Sequence, residues 1–304
     1  MAQITFPTLG SLNTGVSMAY DTQFFATKTV YERYTYKAPS TGADELYPRL
    51  DMIRGIREWV GDRVVQSLST LSFTIHNRLF EQTIGVDRAN IEDDKYGILT
   101  PAAQLLGENA ARFPDIQIAS LMNSGHSNVT FDNQNFFDTA HPTFDRFGAP
   151  TTVANFQAGA GPAWYLLDTA RVIKPFIWQT RRPFQVIPKF SMTDPQVFWN
   201  KEFEWGVDGR CNAGYGMWHL AFQSLAPLTH DNLVAARTAM ASIHRPDGTP
   251  MGIMPNMLVV PPALYPTGLS LYKNPNQPFT AGDVTLKTNT VMGMFEPLEN
   301  PWLS

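Results

Sequence analysis

The sequence predicts an α+β protein, and three patterns support this fold class. Residues 71–76 alternate strictly between apolar and polar side chains, which is the period of a strand with one covered face. Residues 102–123 and 231–243 carry helical signals, each beginning after residues that cap a helix. Residues 164–222 are dominated by Trp, Phe, Ile and Val, which favour strands.

The composition is poor in charge for a chain of this size. The chain has 304 residues and a mass of 34.0 kDa, which suits about two domains at roughly 150 residues each. Its formal charge of −4 argues against a protein whose main task is to grip nucleic acid. Only 16% of its residues are charged, against about 25% in ordinary soluble proteins. We therefore expect much of the surface to be buried against partners.

Residues 1–50 predict an extended arm and not a compact domain. Gly, Pro, Ser and Thr recur, and the aromatic residues follow neither the helical nor the strand period. A disordered tail would lack such aromatic residues, whereas an arm that lies on other surfaces needs them. These residues are Phe24, Phe25, Tyr31, Tyr34, Tyr36 and Tyr47.

Residues 57–86 predict one long hairpin whose second strand begins with the alternating segment. β-Forming residues at 59–60 and 64–65 supply the first strand, and residues 67–70 supply the turn. An isolated hairpin is marginal in water, so we expect this one to lie on another surface.

Two helices are predicted from their end signals. The first begins near residue 102, and Pro114 is expected to kink or interrupt it because proline lacks the amide that the helix needs. Asp115 would then cap the continuation, and Gly125 would end it. Thr229 is the expected cap of the second helix.

Targeting and redox signals are missing from the sequence. The first twenty residues lack both a basic cluster and an apolar core, and the longest apolar stretches fall short of the ~18 residues that a spanning helix needs. Cys211 is the single cysteine, so an internal disulfide is impossible, and we expect a small buried hydrophobe there. We expect a soluble, non-membrane protein made inside the cell.

The sequence also lacks the common catalytic signatures, such as a phosphate-binding loop, an HExxH helix or a GxSxG elbow. One enzymatic alternative stays open, a metal-assisted hydrolase built on the polar segment 126–145. Side chains that form turns would explain the same composition without any chemistry. The candidate residues are His126, Asp132, Asp138, His141 and Asp145.

Charge is distributed in blocks along the chain. Residues 171–189 hold five basic residues and no acidic one, whereas residues 89–124 hold five acidic residues against two basic ones. Complementary blocks on one chain suit pairing between copies of it. Aromatic residues interleave with the basic block, so contact with nucleic acid is the alternative.

Eight short motifs follow one another along the chain and together resemble a known family. The motifs are Arg57-Glu-Trp-Val-Gly61, Phe80-Glu-x-Thr-Ile84, Ile91-Glu-Asp-Asp-x-x-Gly97, Asn135-Phe-Phe-Asp-x-x-His-Pro142, Trp164-Tyr-Leu-Leu-Asp168, Lys174-Pro-Phe-Ile-x-Gln-x-Arg-Arg182, Phe203-x-Trp-Gly-Val-Asp-Gly-Arg210 and Asp247-Gly-x-Pro-x-x-Ile-x-Pro255 running into Leu258-Val-Val-Pro-Pro262. Each motif is weak alone, but eight in this order resemble the major head subunits of phage Mu and its relatives. The resemblance spans about residues 57–264.

The resemblance implies an HK97-like capsid fold. Such a subunit has an N-terminal arm, an extended hairpin loop, a peripheral domain with a spine helix, and an axial domain. The implied boundaries are 1–50 for the arm, 51–90 for the hairpin loop, 91–125 with 164–225 for the peripheral domain, and 126–163 with 226–304 for the axial domain.

The implied function is that of a major capsid protein of a tailed bacteriophage or Mu-like prophage. Copies of the chain would assemble in the host bacterial cytoplasm, as hexamers and pentamers, into the icosahedral head of the virion. That shell encloses double-stranded DNA, and the resemblance implies no enzymatic activity, no cofactor and no membrane contact.

Further partners follow from the same resemblance. We expect a portal protein, non-specific contact with the packaged DNA, and a decoration protein as a further candidate. We also expect a separate scaffolding protein, because the motifs start by residue 57 and leave no room ahead of them for a scaffold domain. The candidate contacts between subunits are Arg57, Glu58, Trp59, Phe73, Ile75, Phe80, Glu92, Asp93, Asp94, Arg181 and Arg182.

Overall fold

Two main β-sheets, with helices against them, organise the structure. The computed structural model describes residues 6–48, 72–92, 97, 99–191, 193–277 and 287–303. Its helices are α1 (Phe6–Ala26), α2 (Arg88–Glu92), α3 (Leu99–Asn123), α4 (Pro195–Asn200), α5 (His230–Ala241) and α6 (Tyr265–Lys273). Its strands are β1 (Thr35–Pro39), β2 (Asp44–Pro48), β3 (Ser72–His76), β4 (Arg78–Asp87), β5 (His141–Phe144), β6 (Pro150–Val153), β7 (Phe156–Gln157), β8 (Trp164–Leu167), β9 (Phe176–Lys189), β10 (Glu202–Tyr215), β11 (Ala221–Ser224), β12 (Met257–Val260) and β13 (Glu296–Glu299). The predicted α+β class is confirmed.

The first sheet has four strands in the order β1-β9-β10-β4. The 14-residue strands β9 and β10 are antiparallel neighbours, β1 joins β9 in parallel, and β4 joins β10 antiparallel. Phe203, Trp205 and Val207 alternate along β10 with residues that stay partly exposed. This alternation marks one buried face, which lies against α1 and α3.

The N-terminal segment forms the 21-residue helix α1, so the expectation of an extended arm is wrong there. Its apolar residues Leu9, Leu12, Val16, Tyr20 and Phe24 recur every three or four positions and face the core. The intervening Gly, Thr and Ser residues are weak helix formers, which hid this stripe in the sequence. Packing against α3 and the sheet therefore stabilises the helix more than propensity does.

Helix α3 passes through Pro114 without interruption, so of the two predicted outcomes, a kink or an interruption, the interruption is wrong. One amide is missing at that residue, but the whole inner face of the helix is buried from Leu99 to Met122, which offsets the loss. Because the helix continues, Asp115 has no helix start to cap. The helix ends at Asn123, two residues before the predicted stop at Gly125.

The second sheet has five strands in the order β13-β12-β8-β11-β7. Every residue of β8, β11 and β12 is buried, which explains the continuous apolar sequences of β8 and β12. Thr229 caps α5 as predicted, and its hydroxyl accepts a hydrogen bond from the Asn232 amide at 3.3 Å. The sequence-based domain boundary at 164–225 places β8 and β11 with the first sheet, but they pair within the second.

The alternating segment is strand β3, as predicted, but its neighbours differ from the predicted hairpin. β3 pairs antiparallel with β2, with Ile75 opposite Glu45. The following strand β4 pairs with β10 in the four-stranded sheet, so the predicted second strand is divided between two sheets. The predicted first strand at 59–65 and the turn at 67–70 lie outside the described residues.

No helix in the described ranges is long and apolar enough to cross a membrane.

A substitution at Gly107 tests the close contact between α1 and α3. A Cβ atom at this residue would lie far inside van der Waals distance of the Tyr20 backbone carbonyl oxygen, which cannot rotate away. We expect Gly107→Ala to lower the free energy of unfolding by about 1–3 kcal/mol in denaturant titration, because the helices must separate. Gly15→Ala is the matched control: that position in α1 has open space, so a gain of up to about 1 kcal/mol is expected. Equal effects of the two substitutions would contradict the close approach.

Candidate assembly surfaces

The carboxylate of Asp115 fastens the N-terminal segment to α3. Its Oδ1 accepts hydrogen bonds from the backbone amides of Val30 and Tyr31 at 3.0 and 2.7 Å, although these residues are 85 and 84 positions away. Burial raises the pKa of Asp115, and the two amide hydrogen bonds oppose that shift. The chain that follows α1 is thereby held where β1 can enter the sheet.

The pair β2–β3 lies on the opposite face of the first sheet from α3. Side chains alternate along β9, so Ile177 and Gln179 point away from α3. Ile177 packs with Ile75, and Gln179 donates hydrogen bonds to the Ile75 carbonyl at 3.0 Å and to Asn77 Oδ1 at 2.9 Å. Tyr47 completes the contact by donating to Gln179 Oε1 at 2.9 Å.

Three of the candidate contact residues thus already have partners within the chain. Ile75 is only 5% exposed, so little of its surface is left for a neighbouring subunit. Phe73 stacks on Tyr47, and Phe80 lies 4.6 Å from Phe113 between ring centroids. Their role between subunits stays a prediction.

The basic block at 171–189 is largely satisfied within the chain as well. Arg182 forms a bidentate ion pair with Asp208 on the neighbouring strand β10. Lys174 donates to the carbonyls of Glu32 and Arg33 at 2.8 and 3.0 Å. The exposed Arg181 makes one long hydrogen bond, 3.3 Å, to the Ser40 carbonyl, which leaves most of its guanidinium available to a partner.

The remaining candidate contacts fall where the structure gives no side-chain description. Glu92 ends α2, and its side chain is not described. Outside the described residues lie Arg57, Glu58, Trp59, Asp93 and Asp94.

The polar loop proposed as a metal site contains one buried pair. The Nδ1 atom of His141 donates to Asp132 Oδ2 at 2.7 Å, and both side chains are at most 1% exposed. Burial alone would raise the pKa of Asp132, but the hydrogen bond from His141, aided by Thr130 and the Gln134 amide, outweighs it and lowers that pKa. The His141 ring also stacks on Trp218, at 3.9 Å between centroids.

The His141–Asp132 pair is a buried structural contact. Its outer nitrogen, His141 Nε2, is buried and has no hydrogen-bond partner among the described residues, so it reaches neither solvent nor a nucleophile. Asp138 and Asp145 each accept backbone amides of their own turns. Within the described ranges, no three His, Cys, Asp or Glu side chains are grouped to hold a metal ion.

Sequence reasoning missed one conspicuous surface, on α4 between the two longest strands. A six-residue helix begins at Pro195, and it exposes Phe198 and Trp199. The available signal was three consecutive large apolar residues, 197–199, in a short connection that could not bury them all.

Asp115 gives a test of the junction between α1 and the sheet. Asp115→Ala leaves two backbone amides without an acceptor, so we expect the free energy of unfolding at pH 7 to fall by about 2–4 kcal/mol. Asp115→Asn keeps Oδ1 and removes the charge that burial disfavours, so its loss should stay below about 1 kcal/mol. Because the folded-state pKa is raised, the wild type should lose stability relative to Asp115→Asn as the pH rises through that pKa. Equal losses in both variants would exclude the hydrogen-bonding role.

Asp132 should show the opposite pH dependence. A carboxyl whose pKa is lowered on folding contributes stability above its ordinary pKa near ~4, and loses it as the pH falls through the folded value. Asp132→Asn should therefore lower the free energy of unfolding by about 1–3 kcal/mol at pH 7. In urea titrations, the difference from wild type should shrink below about pH 4. A difference that is independent of pH would contradict the role of the Asp132 carboxylate.

Comparison with known proteins agrees with this architecture. The chain matches the protein-family model described as "Mu-like prophage major head subunit gpT" over residues 9–303. It is 34% identical over 240 residues to the major capsid protein of Escherichia phage Mu, covering 77% of this chain and 79% of that protein. It is 30% identical over 271 residues to the Mu-like prophage FluMu major head subunit of Haemophilus influenzae, covering 87% and 88%.

Solved capsids show the same fold. The procapsid subunit of bacteriophage JBD30 superposes with a TM-score of 0.83 at 35% identity, covering 99% of this chain and 100% of that one. A JBD30 capsid subunit gives a TM-score of 0.77 at 25% identity, with 91% of each chain covered. These relatives are structural capsid proteins, which overturns the alternative of a metal-assisted hydrolase. The chain belongs to the family of Mu-like prophage major head subunits, which build the phage capsid with the HK97-like fold.

Proposed function

We propose that this major head subunit closes into an icosahedral shell of hexamers and pentamers around double-stranded DNA. The observation that carries the proposal is the superposition of almost the whole chain, 99%, on a procapsid subunit. A low charge content supports it, since 16% charged residues leave a surface suited to burial between copies.

We assign the four-stranded sheet with α3 to the peripheral domain and the five-stranded sheet to the axial domain. Strand pairing supports moving β8 and β11, residues 164–167 and 221–224, into the axial domain. The hairpin loop then begins at the β2–β3 pair, which brackets residues 49–71. The loop and the N-terminal segment are the parts that we assign to contacts with neighbouring subunits.

A separate scaffolding protein and a portal protein complete the assembly that we propose. Residues 6–48 contribute α1, β1 and β2 to the subunit fold, so they do not form a scaffold domain of their own. A JBD30 capsid has been described as decorated with minor capsid protein trimers, at 25% identity to this chain and a TM-score of 0.76. We propose that a decoration protein binds this shell too.

Contact with packaged DNA on the inner face is expected to be non-specific and weak. The net charge is −4, and Arg182 and Lys174 already bind acceptors within the chain. A shell that does not hold its DNA tightly leaves the genome free to be packed and released.

Assembly itself is the direct test. The full chain, purified alone and with its scaffolding protein, should give capsomers or closed particles in gel filtration and negative-stain microscopy. Particles are expected because burying exposed apolar side chains between copies lowers the free energy. A protein that stays monomeric at every concentration, with and without scaffold, would refute the proposal.

Substitutions at two adjacent arginines distinguish an effect on assembly from an effect on folding. Arg181 is exposed and makes one long hydrogen bond within the chain, so Arg181→Glu should leave the unfolding midpoint unchanged. It should reduce particle yield through repulsion between copies, or DNA content through repulsion of the phosphates. Arg182→Glu is the control that acts inside the subunit, because it places a carboxylate beside Asp208 and should lower the unfolding midpoint. Unchanged particles and DNA content for Arg181→Glu would remove Arg181 from the contacts between subunits.

A further inference from the structure

The short helix α4 carries an aromatic surface that the subunit does not use. Phe198 is 71% exposed and Trp199 is 77% exposed, whereas the preceding Val197 is buried. The two exposed rings contact each other edge to face, with centroids 4.9 Å apart. They form one continuous apolar knob, which we define as the side chains of Phe198 and Trp199.

Packing and hydrogen bonds at both ends of α4 fix the position of the knob. Val197 packs with Phe203 and Trp205 in the core between α1 and the sheet. At the end of α4, the Lys201 carbonyl accepts a hydrogen bond from the Arg88 amide at 2.8 Å. At its start, Asp194 Oδ2 accepts from the Ser191 amide at 2.9 Å. A fixed aromatic pair loses little conformational entropy on binding, which is a property of contact hot spots.

The position of the knob favours a partner from outside the subunit. It lies where β9 ends and β10 begins, and each of these strands spans roughly 45 Å at 14 residues. The other ends of the two strands, at Phe176 and Tyr215, belong to the main core cluster. The knob is therefore at the far end of the sheet from that core, where a neighbouring molecule can reach it.

The charges next to α4 in the sequence favour a protein partner over a nucleic acid. Lys189 and Lys201 flank the helix, and acidic Asp194 and Glu202 lie beside them, so neither sign dominates. A surface that grips DNA needs an excess of basic residues. Two aromatic rings with a mixed polar rim instead have the composition of a protein–protein contact.

We propose that Phe198 and Trp199 form an aromatic contact with a second copy of this chain in the assembled shell. The partner follows from the family, because a major head subunit builds its shell from many copies of itself. This inference deepens the proposed function and rests on it. Once buried between copies, the two rings would form an apolar contact that does not depend on salt, unlike the contact proposed for Arg181.

The first test compares two exposed aromatic surfaces in the full chain. Phe198→Ser/Trp199→Ser should fold like wild type but lower particle yield on the order of tenfold or more, since loss of a hot spot weakens association at least that much. The matched control is Phe147→Ser, which removes a ring that is also 77% exposed, at a turn before β6. Normal particles from the double variant, or an equal loss from the control, would overturn the proposal. If wild-type protein forms no particles, self-assembly itself is refuted, and the proposed contact of Phe198 and Trp199 is refuted as well.

The second test does not depend on how the serine variant folds. A photo-crosslinking p-benzoylphenylalanine replaces Trp199, and the particles are irradiated after assembly. A product at twice the 34.0 kDa subunit mass, with both peptides from this chain, is the expected result. A crosslink to a scaffolding or decoration protein, a product within one chain, or no product would overturn the assignment.

Discussion

The close contact of α3 with α1 on one face of the four-stranded sheet is the constraint on which the rest of the subunit depends. At Gly107 the backbones of the two helices touch, and no larger side chain fits between them. Trp205 of the sheet reaches α1 from below and donates to Asn13 Oδ1 at 3.2 Å. This layer covers one face of β9 and β10 and buries the apolar side chains that they present to the helices.

The same layer leaves the opposite face of the sheet only partly covered. The β2–β3 pair covers the end near Ile177, through the buried contact of Ile75 and the hydrogen bonds of Gln179. Farther along, β4 and β10 place acidic residues directly opposite each other, Asp87 with Glu202 and Glu81 with Asp208. Like charges across a strand pair are unfavourable, and Arg182 relieves the second pair by binding Asp208.

The distribution of apolar side chains also fits a subunit that assembles. The chain buries its aromatic residues densely around the junction of the two sheets, including the stack of His141 on Trp218. Phe198 and Trp199 are left outside this core on a fixed helix. In a shell protein the free subunit is a transient form, so its solubility need not be maximal. Surface that is costly in the monomer becomes stabilising when copies cover it.

The sequence by itself determined the fold class, the family and several local features. Strict alternation identified β3, Thr229 identified the start of α5, and eight ordered motifs identified the capsid family, because each is a property of neighbouring residues. Only the tertiary structure decided where these elements belong. Helix α1 forms against α3 despite weak propensity, α3 continues through Pro114 because its buried face outweighs one missing hydrogen bond, and Asp115 binds amides some 85 residues away. Partners that are distant in the chain leave no periodic pattern, so burial and long-range hydrogen bonds override what local signals predict.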